Sequence, residues 1–159
     1  MKKSLAAVLV ALAVVVAPVS HAAVASADDV TDMQALRAAV QADKRAYVAS
    51  TMKLTDAEAR RFWPIYDLYQ RSLTFADRRR TRAVIEVVGA DRALTDPYAR
   101  TVATELIAAD EAEIKARRTL QNRLMRALPP RKAARYLQLE SKIRAVEAYE
   151  IAQSLPLLK

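Results

Sequence analysis

The chain has no cysteine, a single glycine and a single histidine, and each scarcity closes off a kind of chemistry. Without cysteine, an oxidising compartment finds nothing to cross-link, no lipid can be carried on an N-terminal Cys, and the fold must hold by packing alone. The lone histidine, His21, falls in a leader-like segment, so neither a Ser–His nor a Cys–His nucleophilic pair can form in the rest of the chain. A phosphate-cradling loop needs several glycines, and only Gly89 exists. Soft and imidazole metal sites fail by the same counts, since the thioethers beyond the leader are just Met33, Met52 and Met125. Asp110 and Glu113 could share a helix face as hard-metal ligands, but a solvated face with Glu113 paired to Arg117 is the expected arrangement. Neither an enzyme nor a bound cofactor is expected.

What is present begins with a leader. Lys2 and Lys3 precede an apolar run from Leu5 to Val19, and small residues follow at Ala23, Ala25 and Ala27. That order reads as a secretory signal peptide over residues 1–27, cleaved after Ala27, because Asp28 and Asp29 then open the polar chain; Ala23-Val24-Ala25 is the competing triplet. The run is shorter than the roughly 20 apolar residues of a spanning helix, and Pro18 interrupts it. Residues 28–159 remain, 159 − 27 = 132 residues, one domain's worth. Removing Lys2 and Lys3 from the formal +8 leaves +6. A basic protein outside the cytoplasm meets anionic lipid, envelope polyanions and acidic or unfolded proteins before it meets nucleic acid, which is not an expected partner.

The scarcity of glycine and the abundance of Ala, Leu and Arg are those of a helical protein. A first helix is expected from Thr31 to Ser50, capped by Thr31 with Gln34 and carrying Met33, Leu36, Val40 and Tyr47 inward. The second opens at Leu54-Thr55-Asp56-Ala57-Glu58, where Thr55 and Glu58 make a capping box, and runs from Asp56 to about Val88. Phe62, Tyr66, Tyr69 and Leu73 line one face of it, with Ala76, Arg80, Ala83 and Val87 continuing the stripe. Pro64 bends this helix without stopping it, and Gly89 closes it in the left-handed conformation. Thr95-Asp96-Pro97 starts a third helix that reaches Leu128 with Val102, Leu106, Ile107, Ile114, Leu120, Leu124 and Leu128 inward. Its outer side carries Glu111–Lys115 and Glu113–Arg117 pairs. Pro129-Pro130 breaks the chain before a fourth helix from Arg131 to Gln153, with Tyr136, Leu139, Ile143 and Val146 inward. Two helices of about 30 residues are about 45 Å long, which is long for such a chain. The expected fold is therefore all-α, four helices built around a long helical hairpin, elongated, with a homodimer as the natural way to cover its apolar side.

Two surfaces stand out. Phe62, Tyr66 and Tyr69 are expected in the core, and Trp63, one step off their stripe, packs on the first or fourth helix or lies in a dimer seam. Arg78, Arg79, Arg80 and Arg82 form a basic run, with Arg117 and Arg118 on the next helix and nearer Tyr66 once the hairpin is antiparallel. That spreads charge along the hairpin, most simply as a solvated face.

The Leu-led helix start at Leu54-Thr55-Asp56-Ala57-Glu58, a second at Leu128-Pro129-Pro130-Arg131-Lys132 and the following Tyr136-Leu137-Gln138-Leu139 resemble the Spy and CpxP-like periplasmic proteins. That family carries two Leu-Thr-x-x-Gln motifs, each opening a helix. Here Glu58 replaces the first Gln, and the second motif keeps only Leu128; Phe62-Trp63-Pro64-Ile65-Tyr66 marks a subgroup. The resemblance implies a small helical fold forming a curved dimer in the periplasm. It implies an ATP-independent chaperone or stress-response protein holding unfolded or acidic proteins, with Arg78, Arg79, Arg80, Arg82, Arg117 and Arg118 as candidate client-binding residues. The metal-sensing branch does not suit a chain whose only His lies in the leader. The alternative is an interaction protein that docks on an envelope sensor or on anionic envelope surface.

Overall fold

Short-range chemistry decides where the helices start and stop. The computed structural model of the chain describes residues 32–89 and 94–157, without the side chains of 87–89; the leader with its cleavage triplets, Thr31 and residues 90–93 lie outside the described residues. Four helices follow in order: α1 Met33–Met52, α2 Asp56–Gly89, α3 Asp96–Ala127 and α4 Pro130–Ser154, with no strand among the described residues. The cap of α1 is Asp32, whose Oδ1 accepts the N–H groups of Gln34 at 2.8 Å and Ala35 at 3.2 Å. The helix continues past Ser50 to Met52 and closes on Lys53, the one described non-glycine residue at positive φ (44°). Inside α1, Asp43 leaves the helical conformation and its Oδ1 accepts Ala46 N–H at 2.9 Å, so the second half of α1 has its own cap.

Two local expectations need correction, the left-handed Gly89 and the far end of the α2 stripe, while Thr95-Asp96-Pro97 does start α3. Gly89 is the last helical residue of α2, and no glycine takes positive φ among the described residues. Thr95 caps α3 by position only, without a side-chain bond, and Asp96 precedes Pro97 in the first turn. The stripe of α2 passes from Ala76 through a half-buried Arg80 to a buried Val84, while Ala83 is only half-buried and the Val87 side chain is outside the described set. Pro64 faces solvent, and α2 runs through it.

Helices α2 and α3 pack along each other as an antiparallel hairpin, fixed by Arg79 on one against Glu105 on the other. At 34 and 32 residues they are about 50 Å long, whereas α1 and α4, at 20 and 25 residues, reach about 30 and 38 Å. Arg144 of α4 meets Glu113 of α3; α4 ends ten residues later at Ser154, while α3 extends back 17 residues from Glu113 to Asp96. The hairpin therefore outruns α4 toward the Gly89 end of α2 and the Asp96 end of α3. In the covered part, Phe62, Tyr66 and Tyr69 meet Tyr136 and Ile143 of α4, Leu120 and Leu124 of α3, and Tyr47 and Val48 of α1 in one core. Phe62 stands edge-on to Tyr136 with centroids 4.8 Å apart.

Helix α3 corrects the largest expectation. Its inner face is Val102, Ala109, Leu120 and Leu124, with Glu113 and Ala116 half-buried between them. Ile107 and Ile114 point outward, 59% and 53% exposed. Two apolar rows compete on this helix, and the row with small alanines admits the close approach of α2.

Candidate functional site

The motif residues form a structural node. Thr55 N–H donates to Glu58 Oε2 at 2.8 Å and Glu58 N–H donates to Thr55 Oγ1 at 3.3 Å, which completes the capping box. Lys132, at the start of α4, adds a bond to the same Glu58 oxygen at 2.5 Å and another to the Lys53 carbonyl at 3.5 Å. Chiefly through Lys132 and then the Thr55 N–H, the Glu58 carboxyl is held below its ordinary range. Leu54 packs against the core and Leu128 is buried, so both Leu-led starts meet at this end of the bundle. Trp63 lies half-buried over α1, with the Arg45 guanidinium 4.1 Å from a ring centroid and Phe62 edge-on at 4.9 Å.

A charged spine that periodicity does not disclose crosses the middle of the bundle. Arg144, 5% exposed, donates to Glu113 at 3.0 and 2.8 Å, to Asp77 at 3.3 and 3.2 Å and to Glu147 at 3.1 Å. Lys44 of α1 bonds Glu147 and Gln70, each at 2.8 Å. Burial alone would lower the Arg144 pKa, but its bonds to Glu113 and Asp77 outweigh that and raise it. Burial would likewise raise Glu113, yet Arg144 holds it low. Glu113 thus bonds Arg144, with Arg117 acting on it through charge at longer range, and neither expected i,i+4 ion pair on α3 forms among the described residues. Glu140, 1% exposed, accepts Tyr136 O–H at 3.0 Å, while its other oxygen has no hydrogen-bond partner and stands 3.7 Å from Lys44 Nζ. Burial pushes its pKa up, with Lys44 opposing.

The structure divides the arginine run. Arg79 is held by Glu105, and Arg80 by Asp77 at 3.0 Å and Asp110 at 2.5 Å, so the Arg80 guanidinium joins α2 to α3 where access to water was expected. Arg78, Arg82, Arg117 and Arg118 are exposed. Asp110 bonds Arg80 and Glu113 bonds Arg144, with Arg80 also 3.7 Å from Glu113, and no acidic or His cluster suited to a metal occurs among the described residues.

On the hairpin, a groove of about 440 Å³ runs between α2 and α3, and no α1 or α4 residue lines it. Ile65, Leu68 and Phe75 form one wall, and Ala112, Ala116 and Leu120 the other. Arg71, Lys115 and Arg123 stand along it, and among the described residues no acidic side chain does. Phe75 is 66% exposed. Lys115 also borders a smaller depression with Glu111, Ile114 and Arg118. Composition alone gives no sign of this groove; it exists because the inner faces of both helices are taken by the core.

Compared with protein-family models, curated proteins and solved structures, the chain matches none.

Proposed function

We propose that the chain is an envelope-located, ATP-independent chaperone of the Spy and CpxP-like kind, holding unfolded proteins on an apolar and basic surface of its hairpin. The observation that supports this reading is the hairpin face left open by α1 and α4, where large apolar side chains stand in water beside cations that form no ion pair among the described residues. Apolar surface binds unfolded chains without demanding a sequence, and cations attract acidic ones and raise the encounter rate. Arg78, Arg82, Arg117 and Arg118 add to that long-range attraction. The reading includes export through the 1–27 leader, a homodimer and no catalytic role.

The test is suppression of aggregation of a chemically unfolded, unrelated client by the 28–159 chain without nucleotide. Suppression at near-stoichiometric chain supports the reading. No effect, together with capture of one membrane-sensor partner, would transfer the chain to the regulator class. Analytical ultracentrifugation at tens of micromolar addresses the homodimer, and a strict monomer would remove it.

A further inference from the structure

From the groove between α2 and α3 we infer a docking site for one kind of segment: an acidic, apolar stretch of another protein. This deepens the chaperone reading and rests on it for the source of the segment, but not for the chemistry. The lining is apolar along its length and carries three cations, Arg71 from α2 and Lys115 and Arg123 from α3. None of the three appears in an ion pair among the described residues, whereas Arg37, Lys44, Arg45, Arg79, Arg80, Lys132 and Arg144 all do. The groove is therefore a place where apolar surface coincides with cations that form no ion pair among the described residues, with Glu111 beside Lys115 in the adjoining depression.

Charge decides among the possible occupants. A second copy seated groove on groove about a two-fold axis would bring two sets of these cations together, with no acidic lining to offset them. A single-headed anionic amphiphile would want its cations gathered at one mouth. Here Lys115 and Arg123 lie eight residues apart on α3, about 12 Å, and Arg71 stands on the opposite helix. Cations distributed on both sides of an apolar floor match a polymer bearing several carboxylates between apolar side chains. From Ile65 to Phe75 the wall is about 15 Å long, room for about five residues of extended chain or about ten of helix. Phe75, projecting at one end, provides an apolar stop.

The experiment uses the 28–159 chain and a fluorescein-labelled peptide of about ten residues composed of glutamate and leucine, read by fluorescence anisotropy. A lysine–leucine peptide of equal length is the charge control. Wild type is expected to prefer the glutamate peptide, with affinity falling as salt rises. The combined change Arg71→Glu, Lys115→Glu and Arg123→Glu is expected to weaken it tenfold or more, about 1.4 kcal/mol; Phe75→Ala should weaken it severalfold. The same charge change at exposed positions outside the groove, Arg60→Glu, Arg100→Glu and Arg131→Glu, should leave it within about twofold. Circular dichroism checks that each variant keeps its helix content, and Gln in place of Glu at the three groove positions gives a milder series. Equal weakening by the groove and control sets would overturn the inference, as would equal binding of both peptides. So would a dimer that Phe75→Ala dissolves, or tighter groove-dependent binding to phosphatidylglycerol vesicles than to the peptide. Aggregation suppression measured in parallel separates the two readings. Groove-localised peptide binding without suppression sustains this inference and sinks the chaperone; suppression with peptide binding indifferent to the groove changes does the opposite.

Discussion

Replacing Arg144 with methionine should be the most damaging single charge deletion in the chain. Its guanidinium makes five bonds to three carboxylates on three helices and is 5% exposed. Breaking a buried ion pair by removing one partner costs about 3–5 kcal/mol, because the other charge is left uncompensated. Two of the three carboxylates keep a cation: Asp77 retains Arg80 at 3.0 Å and Glu147 retains Lys44 at 2.8 Å. Glu113 keeps Arg80 at 3.7 Å and the longer-range attraction of Arg117. The loss should therefore fall near the lower end, about 3 kcal/mol. Urea unfolding reads it as a midpoint lowered by about 1–3 M with unchanged slope. Acid supplies a second check. The folded pKa of Glu113 lies below its unfolded 4.5, so its stabilisation is complete above that pH and disappears as pH falls through the folded value. Without Arg144 the main cause of that depression is removed, although Arg80 and Arg117 still act on Glu113, and the gap between wild type and variant should be widest above pH 4.5 and narrow below it. A loss under about 0.5 kcal/mol, or a gap indifferent to acid, would show the spine to be solvated and refute the reasoning.

Glu140→Gln tests the opposite sign: the folded pKa of Glu140 is raised, so its favourable contribution is present at low pH and lost as pH climbs through the folded value. The Gln variant should gain on wild type as pH rises above 4.5, and parallel stability curves would count against this. Thr55→Ala should cost about 1 kcal/mol in thermal or urea unfolding; unchanged stability would mean that the capping box contributes nothing. Trp63 should emit at a blue-shifted maximum that dilution leaves in place, since its ring is covered within one chain by Phe62 and Arg45; a red shift on dilution would place it in a dimer seam.

The all-helical fold and its breaks were legible because they depend on neighbours in sequence. Thr55 reads Glu58 three residues away, and the Pro129-Pro130 break lies within the chain it interrupts. The aromatic stripe was legible for the same reason, since a spacing of four, three and four places Phe62, Tyr66, Tyr69 and Leu73 on one face. Pairing between helices obeys a different rule. Glu113 and Arg117 are adjacent on the surface of α3, yet Glu113 binds Arg144, 31 positions away, because a half-buried pair with two parallel bonds outweighs an exposed i,i+4 contact. A sign of this was present: Asp77, Arg80, Glu113, Glu140 and Arg144 lie on or beside apolar stripes, and their opposite signs could neutralise one another only across helices. Ile107 and Ile114 misled for the converse reason, as large apolar residues on the row that α2 does not meet.

The same geometry connects the spine to the groove. Ala116 and Leu120 face the groove on one side and pack on or within the core on the other, and Tyr69 belongs to both. The hairpin is thus only one layer thick at this level. Its inner side is committed to α1 and α4 by a core and by ion pairs that require a definite register, because a helix shifted by one turn would separate Arg144 from Glu113 and Asp77. Apolar packing alone tolerates such shifts more readily than paired buried charges do. A wall held in that register keeps its outer face open and its cations spaced, whereas a hairpin free to repack would fold Phe75 and Leu68 inward. Stability of the spine and availability of the groove should therefore fall together, and Arg144→Met below its melting temperature should weaken peptide docking although Arg144 lines no part of the groove. Peptide affinity equal to wild type in that variant, at matched helix content, would show that the outer face does not depend on the spine.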